Sequence, residues 1–171
     1  GLSDCLTFCD LRGVGRATDL LVKSRYTQIY ALDFDGNVLW SSDHPGGYRT
    51  AHQPWVCDID HDGRDEVLAG AAMLNPDGAE RWRIELPDEV LEKGHLDCCR
   101  RLRDADSPDE MRLAFTYCGA LLLGVMDGNG KVLWTKIDEH FESIDIAQVI
   151  PGEPDPQIVV DIDKAAPGKS P

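Results

Sequence analysis

The sequence predicts an all-β protein, a fragment of a larger β-propeller with about three and a half four-stranded blades. Three observations support this prediction: a hairpin motif that occurs three times, further β-rich runs before each copy, and weak helical periodicity. The chain has 171 residues and 42% apolar composition, which suffices for one sizeable core. We therefore expect a single domain over residues 1–171.

The repeated hairpin ends in tryptophan. Its three copies lie at residues 32–40, 74–82 and 126–134. Each copy has a glycine four residues before the tryptophan, and the tryptophans are 42 and 52 residues apart. The glycine supplies the positive φ that a tight hairpin turn requires. Each copy therefore predicts two antiparallel strands that close a blade, and we expect the tryptophans to pack between blades.

The blade boundaries follow from these hairpins, because two β-rich runs before each one give four strands in about 45 residues. The expected blades are residues 4–42, 53–85 and 97–137, with half a blade at 143–162. His52, His95 and His140, which are 43 and 45 residues apart, repeat the same register. A short helix is expected only at residues 88–93, opened by Pro87.

Residues 58–66 carry the clearest site motif, with the pattern D-x-D-x-D-G-x-x-E. Calcium prefers about six to eight oxygen ligands, and alternate residues of a tight loop turn inward to supply them. The predicted ligands are the side chains of Asp58, Asp60, Asp62 and Glu66 and the backbone carbonyl of Arg64. Calcium is favoured over magnesium, which prefers a rigid octahedron, and over zinc, which prefers His and Cys. The alternative is an Asp-rich turn without a metal.

The corresponding positions of the other blades lack a full ligand set. The copy at residues 10–18 has Arg12 at position 3 and Val14 at position 5, and the copy that begins at Asp104 has Pro108 at position 5. These side chains offer no carboxylate where a calcium loop needs one. We therefore expect calcium only in the second blade.

Composition excludes several classes of partner. The chain has 17 basic and 31 acidic residues, and its net charge of −14 repels nucleic acid and anionic membranes. No run approaches the roughly 18 to 20 apolar residues of a membrane span, and any export signal would lie outside this chain. The six cysteines include no Cys-x-x-Cys pair and are expected to be structural.

The loop, short strand and Gly–Trp hairpin resemble the calcium-bearing repeats of integrin-type (FG-GAP) propellers. A narrower resemblance covers roughly residues 53 to 150, which look like rhamnogalacturonan lyases with eight-bladed propellers. The matching motifs are residues 58–73, Asp77-Gly78, Trp82, Gly94-His95-x-Asp97 and Asp127-x-x-Gly130-x-x-Leu133-Trp134.

The lyase resemblance implies calcium-dependent cleavage of rhamnogalacturonan or other pectin-type uronate polymers by β-elimination, outside the cell or in the periplasm. Elimination needs a cation to neutralise the uronate and a base to remove the C5 proton. His95, beside Asp97, is the candidate base, although its repeated position also fits a structural hydrogen bond. The candidate substrate-binding residues come from the densest basic cluster of the chain. They are Lys93, Arg101 and Arg103.

Two other functions stay open, so the sequence does not decide whether the chain is an enzyme. One is a non-catalytic, calcium-stabilised integrin-type module that binds protein or carbohydrate. The other is a quinoprotein-type scaffold, which the tryptophan hairpins alone also resemble. An open arc of blades exposes strand edges, so we expect closure by the remaining blades of a longer chain or by self-association.

Overall fold

The computed structural model describes residues 2–164, so Gly1 and residues 165–171 of the expected domain lie outside the described residues. The described chain forms three four-stranded sheets and one two-stranded sheet, all antiparallel. The sheets follow one another along the chain, and within each sheet sequential strands are neighbours. The prediction of an all-β propeller segment of about three and a half blades is confirmed.

The strands are numbered in chain order. The first sheet contains β1 (Leu2–Cys9), β2 (Asp19–Ser24), β3 (Gln28–Leu32) and β4 (Val38–Asp43). The second contains β5 (Thr50–Cys57), β6 (Glu66–Gly70), β7 (Ala72–Leu74) and β8 (Glu80–Arg83). The third contains β9 (His95–Arg103), β10 (Arg112–Cys118), β11 (Leu122–Met126) and β12 (Val132–Ile137). The fourth contains β13 (His140–Ala147) and β14 (Gln157–Lys164).

Helical structure is confined to the connections between sheets. A 3₁₀ turn, Pro45–Gly47, joins the first two sheets, and the helix α1, Asp88–Leu91, joins the second and third. Helix α1 begins directly after Pro87, where the sequence indicated it. Among the described residues no helix has the length and apolar character needed to cross a membrane.

The first strand of each sheet lies on the inside of the arc. Strand β5 contacts both β1 and β9, and β9 contacts β13. The last strands of the first and third sheets, β4 and β12, are largely exposed. In these two sheets the last strand is therefore more exposed than the two middle strands, as expected for the outer edge of a propeller blade.

The hydrophobic core lies between neighbouring sheets. Each of three clusters of buried residues draws on two adjacent sheets, so no sheet buries its faces alone. Representative pairs are Leu21 with Val67, Met73 with Phe115, and Ala114 with Ile144.

The hairpin tryptophans connect consecutive blades. The indole of Trp40 packs on Gly78 in the hairpin turn of the second sheet, where an added Cβ would lie 2.7 Å from the ring. Trp82 packs in the same way on Gly130 of the third sheet, at 2.5 Å from an added Cβ. Each turn glycine thus meets two requirements. It adopts a positive φ, and its missing side chain leaves room for the tryptophan of the preceding blade. The expected packing of these two tryptophans between blades is confirmed.

The third hairpin tryptophan, Trp134, differs from the other two because it is 49% exposed. The fourth sheet has only β13 and β14 within the described residues, so it presents no hairpin turn of this kind to Trp134.

None of the six cysteines, all within the described residues, forms a disulfide. Burial, followed by nearby carboxylates, raises the pKa of Cys9 to about 12. Burial likewise raises the pKa of Cys57 to about 12. Such thiols stay protonated at neutral pH and act as small apolar side chains, in agreement with the expected structural role.

Candidate metal centre and histidine cluster

The predicted metal loop connects β5 to β6 and is closed by its own first carboxylate. Asp58 accepts a hydrogen bond on Oδ1 from the backbone N–H of Asp62 at 3.0 Å, and one on Oδ2 from Gly63 at 2.8 Å. Gly63 has a φ of 87°, which the tight bend requires. The turn itself is therefore closed by hydrogen bonds within the loop.

The loop gathers three carboxylates. Asp58, Asp60 and Asp62 each offer one oxygen, and these oxygens lie within 4.8 Å of one another. Uncompensated carboxylates at this separation repel each other, whereas a hard cation between them is stabilised. This acidic group could hold a metal ion.

Glu66, the fourth predicted carboxylate, opens β6 beside this group and is 1% exposed. Its Oε2 accepts the backbone N–H of Ile59 at 3.0 Å. Burial raises the pKa of Glu66 to about 7, and the neighbouring Asp60 adds to the rise while the Ile59 N–H opposes it. The positive charge of Arg81 also opposes the rise, and with it included the buried carboxyl is partly protonated near neutral pH.

Arg81 on β8 supplies a positive charge that the sequence motif does not show. Its Nη1 lies 2.7 Å from Oδ2 of Asp60 and 3.5 Å from Oε1 of Glu66. A bound cation would share these carboxylates with the guanidinium or displace it. Arg81 directly precedes the hairpin residue Trp82, and this register is the sequence signal that could have placed it over the loop.

The corresponding loop of the first blade keeps the same backbone closure. Asp10 accepts the N–H of Val14 on Oδ1 at 2.9 Å and that of Gly15 on Oδ2 at 2.7 Å. These are the same sequence offsets as in the Asp58 loop. The Asp10 loop is thus an internal reference for how the turn folds.

The first blade supplies its own cation. Asp19, which is fully buried, accepts the N–H of Leu11 at 3.0 Å, just as Glu66 accepts that of Ile59. Nη2 of Arg12 lies 2.7 Å from Oδ1 of Asp19. The nine-residue pattern at residues 10–18 does not include Asp19, because this loop has one additional residue before its buried carboxylate.

The two loops also dock on each other. The N–H of Asp10 donates to Oδ2 of Asp65 at 2.7 Å, and the N–H of Asp65 donates to the carbonyl of Asp10 at 3.0 Å. Nε of Arg64 donates to the carbonyl of Leu11 at 2.9 Å. Order in the metal loop therefore contributes directly to the interface between the first and second blades.

A second group of polar side chains gathers at the beginning of the inner strands. We call it the histidine cluster, and its members are His52, His95, Asp97, Cys118 and His140. Asp97 lies at its centre: Oδ1 is 2.9 Å from Nε2 of His95 and 3.6 Å from Nδ1 of His52. On the other side, Sγ of Cys118 lies 2.8 Å from Nε2 of His140.

The cluster is largely buried. The side chains of His95 and Asp97 are 9% and 4% exposed. Nδ1 of His95 is buried and makes no hydrogen bond to a described residue, and the ring of Tyr26 packs on His95 with 4.4 Å between ring centroids. Burial and then the neighbouring Asp97 raise the pKa of Cys118 to about 12.

Sequence reasoning identified the three histidines as a register and placed Asp97 beside His95, but it did not find Cys118 and Tyr26 as their partners. Cys118 pairs with His95 across β9 and β10, so strand register could have found that contact. Tyr26 has a φ of 69°, a left-handed conformation that is uncommon outside glycine. No sequence pattern marks that conformation.

The predicted substrate-binding residues are distributed over both ends of β9. Lys93 is exposed and lies two residues before His95. Arg101 and Arg103 are six and eight residues beyond it, which corresponds to roughly 20 and 26 Å along a strand. Arg101 forms an ion pair with Asp104 at 2.9 Å. The structure therefore brings Lys93 close to His95 and leaves the two arginines at the opposite end.

A cleft of about 470 Å³ opens beside the histidine cluster. Among the lining residues that the structure describes, three carry carboxylates and none is a lysine or an arginine. The acidic lining residues are Asp97, Glu142 and Asp161. An anionic ligand would enter this cleft only together with a cation, whereas a cation could enter alone.

The comparisons with known proteins place the fold. The sequence matches no family model and no curated protein. The solved structure of the rhamnogalacturonan lyase YesW matches 94% of this chain and 28% of that protein, with a TM-score of 0.66 and 20% identity. The fold is shared with rhamnogalacturonan lyases. One from Bacillus licheniformis matches 91% of this chain and 28% of its own, with a TM-score of 0.64 and 21% identity.

The fold also occurs in a protein that is not described as a lyase. The V. cholerae biofilm matrix protein Bap1 matches 83% of this chain and 22% of its own, with a TM-score of 0.60 and 16% identity. This chain spans less than a third of the length of each of these proteins. Likeness at this level of identity shows the fold alone.

Proposed function

We propose that the chain is part of a calcium-dependent polysaccharide lyase-like protein that cleaves rhamnogalacturonan or related pectin-type uronate polymers by β-elimination. The observation that carries this proposal is the buried contact of 2.9 Å between Nε2 of His95 and Oδ1 of Asp97, beside a cleft, in a fold shared with rhamnogalacturonan lyases. A carboxylate that holds one ring nitrogen of a histidine prepares the other nitrogen to accept a proton. The remaining propeller blades would complete the site, in an extracellular or periplasmic setting.

Calcium is the ion we assign to the Asp58 loop. Asp58, Asp60 and Asp62 gather side-chain oxygens, and the buried carboxylate of Glu66 and the backbone carbonyl of Arg64 would complete the ligand set. An all-oxygen set on a flexible turn suits calcium better than magnesium or zinc. Since the loop docks on the first blade, the ion would stabilise the interface between blades rather than take part in the reaction.

The reaction would remove a proton from a galacturonate. A base takes the C5 proton, the electron pair forms the C4–C5 double bond, the C4–O bond breaks, and the departing oxygen takes up a proton. With Nε2–H of His95 donating to Asp97, Nδ1 is the atom that accepts the C5 proton. Tyr26 must move from His95 for this contact. Lys93 would bind the uronate, while Arg101 and Arg103 would contact the polymer farther along.

The test is an assay of the chain, joined to the blades that complete its propeller, on rhamnogalacturonan and other uronate polymers, with calcium and with a chelator. The expected result is a rise in the ultraviolet absorbance of the unsaturated product, reduced by about 100-fold or more in His95→Gln. His44→Gln is the matched control, because His44 is an exposed histidine in the turn between sheets. Absence of product from the protein with its complete propeller, or equal rates for both variants, would overturn the lyase proposal.

The second candidate is a non-catalytic, calcium-stabilised module that binds carbohydrate or protein. One observation favours it: Nδ1 of His95 is buried under Tyr26, out of reach of a ligand in this conformation. The same polymers would then bind to the chain, as measured by calorimetry, without any unsaturated product. Binding without turnover would support this candidate. If the polymers neither bind nor react, the chain is not a carbohydrate-binding module.

Arg81→Gln is expected to strengthen calcium binding by about ten-fold, because it removes a positive charge that competes for Asp60 and Glu66. The same change should destabilise the calcium-free chain by about 1 kcal/mol, since the carboxylates then repel each other. Calcium titration and urea denaturation measure the two effects. Arg83→Gln on the same strand is the control, because Arg83 pairs with Glu80 at the surface. Equal shifts in both variants would contradict a role for Arg81 at the loop.

Calcium affinity is expected to fall by about ten-fold between pH 8 and pH 6, because Glu66, with its pKa near 7, must lose its proton to bind the ion. In the calcium-free chain the sign is opposite. The raised pKa means that the stabilising contribution of protonated Glu66 is lost as pH rises toward 7. Calcium titrations at the two pH values measure the effect. Glu66→Gln should bind more weakly and show no such pH dependence, and equal affinity of the unmodified chain at both values would refute the prediction.

A further inference from the structure

The geometry points to a second metal site, for a transition metal of the zinc class, formed by Asp97, Cys118 and His140. One carboxylate oxygen, one thiol sulfur and one imidazole nitrogen of these residues lie within 4.8 Å of one another. Sγ of Cys118 and Nε2 of His140 are 2.8 Å apart. This site is separate from the calcium loop and does not depend on the proposed lyase activity.

The donor atoms decide which metals fit. Sulfur and imidazole nitrogen are ligands for zinc and its neighbours, whereas calcium and magnesium take oxygen almost exclusively. Three protein ligands leave one coordination position for water or a ligand, the composition of an open zinc site. The site therefore selects zinc-class metals, and the Asp58 loop selects calcium.

Neighbouring side chains hold two of the three ligands in place. Nε2 of His95 lies 2.9 Å from Oδ1 of Asp97, and Oδ2 of Asp97 is buried and accepts no hydrogen bond from a described residue. Nδ1 of His140 lies 3.3 Å from Oε1 of Glu142. A carboxylate on the far nitrogen fixes the orientation of a histidine and makes it a stronger ligand. His52 also contacts Asp97, with Nδ1 3.6 Å from Oδ1, so both histidines would influence the metal through that carboxylate.

The backbone around the site is rigid. Cys118 ends β10 directly opposite His95, and β13, which carries His140, packs on both β9 and β10. Gly94 approaches the carbonyl of Cys118 so closely that no side chain fits between them. The three ligands thus come from three adjacent strands with little freedom to separate. The cleft that Asp97 and Glu142 line provides a path for entry of an ion.

The test uses cobalt(II) as a spectroscopic substitute for zinc on the full, chemically reduced chain. We expect one cobalt per chain, a sulfur-to-cobalt charge-transfer band in the near ultraviolet, displacement by zinc, and no displacement by excess calcium. In Cys118→Ser the band should vanish, and in His140→Gln the affinity should fall by about 100-fold. Cys5→Ser controls for another partly exposed thiol, and Asp60→Asn for the calcium loop.

A second measurement covers the case in which Cys118→Ser does not fold. Zinc should slow alkylation of Cys118 in the unmodified chain by about ten-fold or more, as located by peptide mass spectrometry, and should slow that of Cys5, which lines the entry cleft but is no ligand, much less. The proposal is overturned if cobalt gives no thiolate band, if the band persists in folded Cys118→Ser, or if zinc protects both cysteines equally.

Discussion

Gly94→Ala is expected to lower the free energy of unfolding by about 4 kcal/mol or to prevent folding altogether. An added Cβ would lie 1.3 Å from the carbonyl oxygen of Cys118 and 2.5 Å from its carbonyl carbon. These are backbone atoms at the position where β9 and β10 pair, so they cannot move aside as a flexible side chain would. Urea denaturation followed by circular dichroism measures the change.

Gly36→Ala is the matched control, because Gly36 has a φ of 84° and open space around the position of a Cβ. Its cost is limited to backbone strain of about 1 to 2 kcal/mol. Similar losses in the two variants would mean that β9 and β10 do not approach each other this closely in solution. The loss in Gly94→Ala is also expected to include metal binding at the histidine cluster, since that approach positions Cys118.

Saturating calcium is expected to stabilise the chain by about 2.7 kcal/mol at a concentration 100 times the dissociation constant, and Asp60→Asn should remove most of this gain. Asp60 is one of the three gathered carboxylates and the one that Arg81 contacts. Its loss removes a charged ligand while the Asp58 hydrogen bonds that fold the turn remain. Thermal unfolding with calcium and with a chelator measures the difference.

Asp33→Asn is the control for this experiment. Asp33 closes a hairpin turn by accepting the N–H groups of Asp35 and Asn37 at 3.0 and 2.8 Å, but it belongs to no group of gathered carboxylates among the described residues. This variant should keep the full calcium gain. If Asp60→Asn keeps the stability gain from calcium, or if Asp33→Asn loses it, the assignment of the ion to the Asp58 loop is wrong.

The blades could be predicted because their signals are local. A turn glycine with positive φ and a tryptophan four residues later identify each hairpin, and the structure adds only that Trp40 and Trp82 pack on the glycine of the following blade. The closure of the Asp58 loop is local as well, since its hydrogen bonds span at most five residues.

The missed features depend on contacts between segments. Asp19 was overlooked because a single additional residue shifts it out of the nine-residue pattern, although its carboxylate takes the place of Glu66. Arg81 reaches the loop from β8, at a distance along the chain that no metal motif specifies. The length of β9 explains why the predicted basic cluster does not come together. Arg101 and Arg103 are close to His95 in sequence, but the extended strand separates them in space.

The histidine cluster was predicted in part: the spacing of its histidines could be interpreted from the sequence, but their contacts could not. The spacing of His52, His95 and His140 gave the blade register correctly, because each lies at or near the start of an inner strand. Their convergence on Asp97 and Cys118 follows from how adjacent sheets pack, which the spacing alone does not specify. A repeated residue in a propeller can thus mark both a register and a site.

Calorimetric titration of the reduced chain with calcium is the most direct test of the metal loop. We predict one calcium bound per chain in the unmodified protein and no measurable heat in the double variant Asp58→Asn, Asp60→Asn, whose fold is checked by circular dichroism. Absence of heat in the unmodified chain, or unchanged binding in the folded double variant, would contradict the assignment of calcium to this loop.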